Sequence, residues 1–399
     1  MKVTREEALN VILSSVDPVK VEESVTLEKA YGRILAVDIF SPVDLPDGDK
    51  SAVDGFAFKS SSAPGRFKVI GESPAGRPDR LAVSNGEAVF VMTGGLIPEG
   101  ADAVVRIEDV SFDGNYVTVD FPVREGNLIN YAGSEIKEGE RVLKKGDLLD
   151  FRKVGLLANL GIYRVKVFRK PRVGVLVTGD EVLEPFEPYF LGSVRNSNYY
   201  ILKGILERIG VSVIYLGKSF DSVDEMASVF GEALEGVDVL VTTGGVSKGK
   251  YDFVKEVVER VGFDVRFTTT NIRPGRPLVF GVKGSNLFFG LPGYPAAMLV
   301  NALEFLVPAL RKLSGRKEFF NRYLPAVALE DLKSREGRVD FVRVNLEVFD
   351  GRLGVVNAGS QQTSNFLSMA MCDGLAVIGA DRGTVRKGEF VDLLLFDRI

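Results

Sequence analysis

Val237-Asp238-Val239-Leu240-Val241-Thr242-Thr243-Gly244-Gly245-Val246-Ser247 is an apolar run that ends abruptly in hydroxyls and glycines. Helical spacing follows in Asp252 to Val261, so the stretch predicts a strand buried on both faces that turns sharply into a helix. Outward from it the same alternation recurs. Arg172 to Thr178 predicts a strand before Thr178-Gly179-Asp180-Glu181, Asn198 to Ile209 a helix stopped by Gly210, Val211 to Leu216 a strand, and Asp221 to Leu234 a helix. Further strands are expected near Val265, at Leu278 to Gly281 and at Asn286 to Leu291, and Pro295 to Leu313 reads as one buried helix. This alternation predicts a central doubly wound α/β domain with a mostly parallel sheet and its ligand at the carboxyl ends of the strands.

Both flanks read differently. Thr4 with Glu7 forms a capping box ahead of an apolar stripe at Ala8, Leu9, Ile12 and Leu13, which predicts a first helix. From Val21 to Phe168 short β-type runs dominate: Arg66 to Gly71, Ala88 to Met92, Ala103 to Ile107 and Tyr116 to Phe121, with Asp113-Gly114-Asn115 as a hairpin turn. Asp150 to Leu160 has helical spacing. After Ser314-Gly315-Arg316, strands at Arg338 to Phe349, Leu353 to Val356, Gly374 to Gly379 and Phe390 to Phe396 suggest a small β-barrel or sandwich. The expected class is α/β plus β in several domains: residues 1–45 with 137–168 as a linking domain, 46–136 as a β-rich insertion, 169–315 as the α/β domain and 316–399 as the barrel. The β-rich arm, Val21 to Phe168, reads as too loop-dependent to close a core alone, which favours a homodimer.

Composition narrows the chemistry. The 399 residues carry 50 Lys and Arg against 54 Asp and Glu, a net charge of -4, so no general basic field exists for nucleic acid or an anionic membrane. The single cysteine, Cys372, excludes an intrachain disulfide framework and multi-cysteine metal sites and fits a reducing, cytoplasmic compartment. Histidine is absent, which rules out Ser-His-Asp or Cys-His catalysis and His-ligated metals; a hard ion such as magnesium is the natural metal. Met1 to Leu9 lacks an apolar signal region, and Asn286 to Leu310, broken by Pro292, Gly293 and Pro295, reads as strand, loop and helix rather than a membrane span.

Three loops follow three core strands and must meet at one sheet edge: Thr178-Gly179-Asp180-Glu181, Thr242 to Ser247, and Leu291-Pro292-Gly293-Tyr294-Pro295. Their glycines let backbone amides approach a ligand, and their hydroxyls suit a phosphate or a heterocycle edge. Asp180, Glu181, Asp221 and Asp252 fall on the same edge. Asp221 and Asp252 serve equally well as helix caps, whereas the adjacent pair Asp180-Glu181 calls for a cation or donor nearby. Asn271-Ile272-Arg273-Pro274-Gly275-Arg276-Pro277 restrains two guanidiniums in a loop, an arrangement that suits a tetrahedral oxyanion or simply solvates on a rigid turn. In the N-terminal half, Leu45 to Ala57 and Asn127 to Glu135 are polar loops dense in acids and turn formers, and Asp54-Gly55 reads equally well as a functional pair or as a turn alone.

Taken together, these segments resemble the molybdopterin molybdenumtransferase family, which includes MoeA and the E domain of gephyrin. The resemblance lies in Ser51-Ala52-Val53-Asp54-Gly55-Phe56-Ala57, Met92-Thr93-Gly94-Gly95 through Pro98-Glu99-Gly100-Ala101-Asp102, Thr178 to Glu181, Asn196-Ser197-Asn198, Thr243-Gly244-Gly245-Val246-Ser247 through Tyr251-Asp252, Arg273 to Pro277 and Gly290-Leu291-Pro292-Gly293. Gly359-Ser360 and Asp381-Arg382-Gly383 extend it to the end of the chain. It implies the last step of molybdenum cofactor assembly, in which adenylylated molybdopterin and molybdate react with magnesium's help and AMP leaves, in an elongated homodimer of four-domain subunits. Asp54, Glu181, Asp221 and Asp252 would be catalytic, with Glu181, Asp252 and Glu135 near the metal. Thr243 to Ser247 would hold the pterin nucleotide and Arg273 and Arg276 would face the oxyanion, with Ser51, Thr93, Thr178, Gly179, Asp180, Asn196, Ser197, Pro274, Gly275, Pro277, Pro292, Gly293 and Ser360 completing the substrate site.

The chain departs from the family pattern at Leu128-Ile129-Asn130-Tyr131, where arginines are usual, and at Tyr294 in place of Asn, Arg273 and Arg276 in place of Lys, and Gln361 in place of His. Tungstate is an alternative oxyanion. A molybdopterin adenylyltransferase, which is also the expected partner, or a dimeric scaffold without catalysis, are the competing functions.

Overall fold

The computed structural model describes residues 2–76, 81–219, 222–245 and 253–396. The chain divides into two compact units, Asp38–Lys145 with Gly155–Ile162, and Met1–Val37 with Gly146–Val154 and Tyr163–Ile399.

The first of these is built on a six-stranded sheet in the order Ala103–Arg106, Gly55–Phe58, Glu87–Val91, Gly65–Ser73, Tyr116–Val119, Ser111–Phe112. Its second strand, Gly55–Phe58, is buried throughout, with Phe56 and Phe58 in one apolar cluster and Ala57 in another. That alternation means both faces of the sheet are covered. A Cβ on Gly55 would sit 1.9 Å from the Val105 carbonyl oxygen, so only glycine permits this strand pairing. Two expectations need correction here. Gly55 opens a core strand, so the reading of Asp54-Gly55 as a turn alone falls away, and the unit closes a core of its own, so loop content supplies no argument for a dimer. The hairpin at Asp113 is present: its Oδ1 accepts from the amides of Asn115 and Tyr116, and Gly114 takes φ +96°.

The second unit holds the α/β core. Strands run in the order Ser212–Ser219, Arg172–Thr178, Val239–Thr243, Asn286–Leu291, Pro277–Lys283, Asp264–Thr269. The first four are parallel, and the last two add antiparallel at one edge, so the sheet is mixed. Val173, Val175, Val239 and Val241 pack into one cluster, and Leu176, Leu240 and Phe288 into the cluster opposite. Continuous burial on both faces explains why these strands read as unbroken apolar runs.

The N-terminal helix, Arg5–Ser14, starts at the expected capping box: Thr4 Oγ1 accepts from the Glu7 amide and Glu7 Oε2 accepts from the Thr4 amide. The expected helix from Pro295 to Leu313 is present but not uniform. It runs as α-helix over Pro295–Asn301, widens to a π-turn over Ala302–Leu306, and resumes as α-helix over Val307–Leu313. Pro308 has no amide for the carbonyl four residues back, and a wider turn just before it accommodates the missing bond.

The C-terminal strands close into a five-stranded barrel. Val339–Phe349 pairs with both Arg352–Asn357 and Gly374–Ile378, and the circle is completed through Leu324–Ala328 and Phe390–Leu395. Ala326, Val342, Val344, Val355, Ile378 and Leu393 fill it. Among the described residues no helix is long and apolar enough to cross a membrane.

Candidate functional site

Thr178, Thr243 and Leu291 end three neighbouring strands, and the parallel register sets Thr243 level with Val177 and Leu291. The loops leaving these ends therefore share one edge, where they line a cleft of about 1310 Å³. Of the expected substrate residues, the cleft gathers Thr178, Gly179, Asn196, Ser197, Thr243, Gly244, Gly245, Arg273 to Pro277, Pro292 and Gly293, together with Glu181. Six cationic side chains (Lys2, Arg195, Arg273, Arg276, Arg335 and Arg338) face two carboxylates, Glu181 and Glu336, so the pocket favours anions although the chain as a whole is acidic.

Glycine geometry shapes the strand-end wall. Gly244 (φ +107°) lies so close to Thr178 that a Cβ would come within 2.8 Å of both its carbonyl and hydroxyl oxygens. Gly179 (φ +130°) lies under the Glu181 carboxylate, where a Cβ would meet Oε2 at 3.0 Å. Glu181 is exposed in the cleft, and its carboxylate makes no hydrogen bond or ion pair among the described residues. Asp180 is exposed but does not line the cleft. Asn196 does line it, yet its amide is fully engaged: Nδ2 donates to Glu184 at 2.9 Å and to the Tyr215 hydroxyl at 3.2 Å, and Oδ1 accepts from the Tyr199 amide. It shapes the wall through the protein. Burial, with the Glu184 carboxylate beside it, pushes the Tyr215 phenol well above its ordinary range, so it stays a donor.

The arginine wall is held from beneath. Ile272–Arg273 pairs with Val339 and Asp340 of the barrel, and the Arg276 carbonyl accepts from the Thr270 amide at 2.8 Å. Asn301, fully buried in the long helix, donates through Nδ2 to the carbonyls of Gly275 and Pro277, both at 3.0 Å. One turn along, Glu304 is buried in the π-turn and accepts from Arg5 Nε at 2.7 Å and the Tyr323 hydroxyl at 2.8 Å. Arg5 in turn holds Asn271, whose Oδ1 accepts the Arg5 amide at 2.7 Å. Burial pushes the Glu304 carboxyl above its ordinary value, against the pull of Arg5 and Tyr323. Arg273 and Arg276 are exposed, and their guanidiniums make no hydrogen bond or ion pair among the described residues, which leaves both forks open to a ligand.

The barrel supplies a further basic turn. Asp340, buried, accepts from Ser334 Oγ at 2.6 Å and from Arg338 Nε, which sets Arg335 to Arg338 against the cleft. Lys2, Arg195, Arg335, Arg338, Thr363 and Ser364 were not foreseen from the sequence. An Arg-x-Gly-Arg turn ahead of a strand is the one signal that pointed to two of them. Ser360 is exposed outside the cleft lining; its carbonyl accepts from Arg343 Nη2 and Ser368 Oγ, both at 2.7 Å.

The remaining expected residues lie in the other unit. Asp54 is exposed, and its Oδ1 accepts from the Thr93 amide at 2.7 Å and hydroxyl at 2.8 Å, which hold the carboxyl below its ordinary value. Ser51 is buried, with Oγ donating to the Val53 carbonyl, and Glu135 is exposed. Asp221, Val246, Ser247 and Asp252 lie outside the described residues. Among the described residues no three Asp, Glu, Cys or His side chains gather to hold a metal.

Three family profiles match the chain: "MoeA N-terminal region (domain I and II)" over residues 3–161, "Probable molybdopterin binding domain" over 174–312, and "MoeA C-terminal region (domain IV)" over 325–396. A relative from Haemophilus influenzae, called molybdopterin molybdenumtransferase, is 36% identical over 383 residues, 94% of each chain. One of the same name from Staphylococcus aureus is 33% identical over 93% of this chain and 90% of its own. The crystal structure of a molybdopterin biosynthesis moeA protein from Pyrococcus horikoshii OT3 superposes with a TM-score of 0.87 at 30% identity, covering 99% of this chain and 100% of that one.

Proposed function

The chain belongs to the molybdopterin molybdenumtransferase family, enzymes of molybdenum cofactor biosynthesis, and from that premise we propose that its cleft takes adenylylated molybdopterin and molybdate and releases AMP as the metal is transferred. The meeting of the Thr243-Gly244-Gly245 turn, the Glu181 carboxylate and the Arg273 and Arg276 guanidiniums in one cleft carries the proposal. The glycine turn admits a phosphate close to the backbone. The two forks give a doubly charged tetrahedral oxyanion several charge-assisted donors, and Asn301 holds their loop in place before binding, which lowers the ordering cost. The transfer balances when two Mo–S bonds form and one oxide leaves with the two thiol protons as water. A second water cleaves the phosphoanhydride to give AMP.

Magnesium fits the donor set, since Glu181 presents in the cleft a hard carboxylate that is unpaired among the described residues; held there and by Asp252, the ion would draw negative charge off the phosphoanhydride. Asp221 and Asp54 complete the proposed catalytic set, with Glu135 near the metal. The same reading takes the chain as a cytoplasmic homodimer of four-domain subunits, supplied by a molybdopterin adenylyltransferase and open to tungstate as an alternative oxyanion.

Incubation with adenylylated molybdopterin, magnesium and molybdate tests the function. Molybdate-dependent AMP release is expected; ATP consumption to adenylylate molybdopterin, or no turnover, would overturn it. Arg273→Met or Arg276→Met removes about one charge-assisted contact, roughly 1.5–3 kcal/mol, so the molybdate requirement should rise about ten- to a hundredfold. An unchanged requirement would remove the loop from the oxyanion site. For the dimer, light scattering that gave a 43.5 kDa particle at micromolar concentration would contradict it.

A further inference from the structure

Tyr294 is the one aromatic residue that lines the cleft among the described residues, and 61% of it is exposed. Its surroundings keep it there. Pro295 begins a helix whose next six residues, Ala296 to Asn301, are all buried, which anchors the backbone that carries the phenol. On the other side the Gly293 carbonyl accepts from Asn198 Nδ2 at 2.9 Å, and Gly293 lies against Gly244, where a Cβ would stand 3.6 Å from the Gly244 Cα. Gly244 is tied in turn by its amide to the Leu291 carbonyl at 2.9 Å. The phenol is thus held at the mouth of the strand-end loops on a pinned backbone.

Two polar atoms in the same neighbourhood lack partners among the described residues. Asn198 Oδ1 and Thr243 Oγ1 are buried, in residues only 8% and 2% exposed, and both residues line the cleft. The orientation of the Asn198 amide is settled by its Nδ2 bond to a carbonyl, so the atom left over is an acceptor. A buried acceptor without a donor is costly unless a ligand supplies one. An open aromatic face, a buried acceptor and a hydroxyl together complement a flat ring with N–H groups on its edge.

We propose that Tyr294, Asn198 and Thr243 form a subsite for a fused aminopyrimidine ring, which stacks on Tyr294 and turns its N–H edge toward Asn198 Oδ1 and Thr243 Oγ1. The assignment rests on the cleft being a pterin-nucleotide site, because that substrate carries two such rings, the pterin and the adenine. It makes Tyr294, where the family usually has Asn, a residue that sets affinity for the ring in this chain.

Calorimetric titration of the full chain with AMP, with 6-hydroxymethylpterin phosphate and with ribose 5-phosphate tests the subsite. Tyr294→Asn should weaken AMP, the pterin or both by about 5- to 100-fold, the ring affected naming the occupant, while Tyr294→Phe stays within about twofold of wild type. Ribose 5-phosphate, which has no ring to stack, should bind all three proteins alike. The subsite is overturned if wild type binds neither ring compound, if Tyr294→Asn binds both as wild type does, or if ribose 5-phosphate weakens in parallel. Molybdate-dependent AMP release by wild type is scored separately. Release together with unchanged ring binding in Tyr294→Asn removes the subsite and leaves the function standing; no release together with lost ring binding does the reverse.

Discussion

The two walls of the cleft are built by different means. On the strand-end wall, Thr178 to Glu181, Thr243 to Gly245 and Pro292 to Tyr294 are placed by parallel register and by glycines whose backbone fits nothing larger. On the opposite wall, Arg273 and Arg276 belong to a loop whose shape comes from polar side chains buried under it: Asn301 on two carbonyls, and Glu304 through Arg5 to Asn271. The first wall is a product of sheet topology. The second depends on a buried network, so it should be easier to disturb without touching any residue that meets ligand.

The largest expected effect is at Glu304. Glu304→Ala leaves Arg5 without its buried counter-charge and should cost about 3–5 kcal/mol in chemical denaturation. The molybdate requirement should rise while AMP affinity at the strand-end wall holds; equal loss of both would mean that the walls are not separable. Asn301→Ala should lower stability by about 1–3 kcal/mol for its two hydrogen bonds and raise the molybdate requirement in the same selective way. Unaltered molybdate dependence would show that the loop keeps its shape unaided.

Gly244→Ala probes the other wall. A side chain at φ +107°, pressed against Thr178, should cost about 1–3 kcal/mol and weaken AMP binding with little change in molybdate dependence. Normal AMP affinity in this variant would sink the topological account. The smallest effect is expected in the other unit. The folded Asp54 carboxyl lies below its ordinary value, so what its Thr93 contacts contribute is present above the usual carboxylate range and fades as pH falls through the lowered value. Thr93→Val keeps the amide donor and loses the hydroxyl, so Asp54 should titrate at higher pH by carboxyl-carbon NMR; an unmoved titration would mean that the amide alone sets it.

The strand-end wall was legible because each of its apolar strands runs directly into a glycine turn. The arginine loop was legible as a loop, but its supports were not: Arg5 and Glu304 are 299 positions apart, and an apolar stretch with one Glu reads simply as a buried helix. The strand Gly55–Phe58 was hidden for a related reason. Four residues are too few to display alternation after the turn formers Asp47 to Asp54, and only the close approach of Val105 shows why Gly55 must be glycine. Leu324–Ala328 passed unread because its pairing is with strands far along the chain.

Local covalent facts settled much of this protein in advance. Without histidine and with one cysteine, its chemistry falls to carboxylates, cations, hydroxyls and backbone amides, and the order of apolar runs and glycine turns dictates the α/β core and the edge where its loops converge. Tertiary structure decided what depends on distance in space: the antiparallel pair at the sheet edge, the closure of the barrel, the π-turn before Pro308, and the gathering of six cations from across the chain into one cleft. Propensity and periodicity act over a few residues, whereas charge balance and hydrogen-bond satisfaction are settled only when segments hundreds of positions apart are buried together.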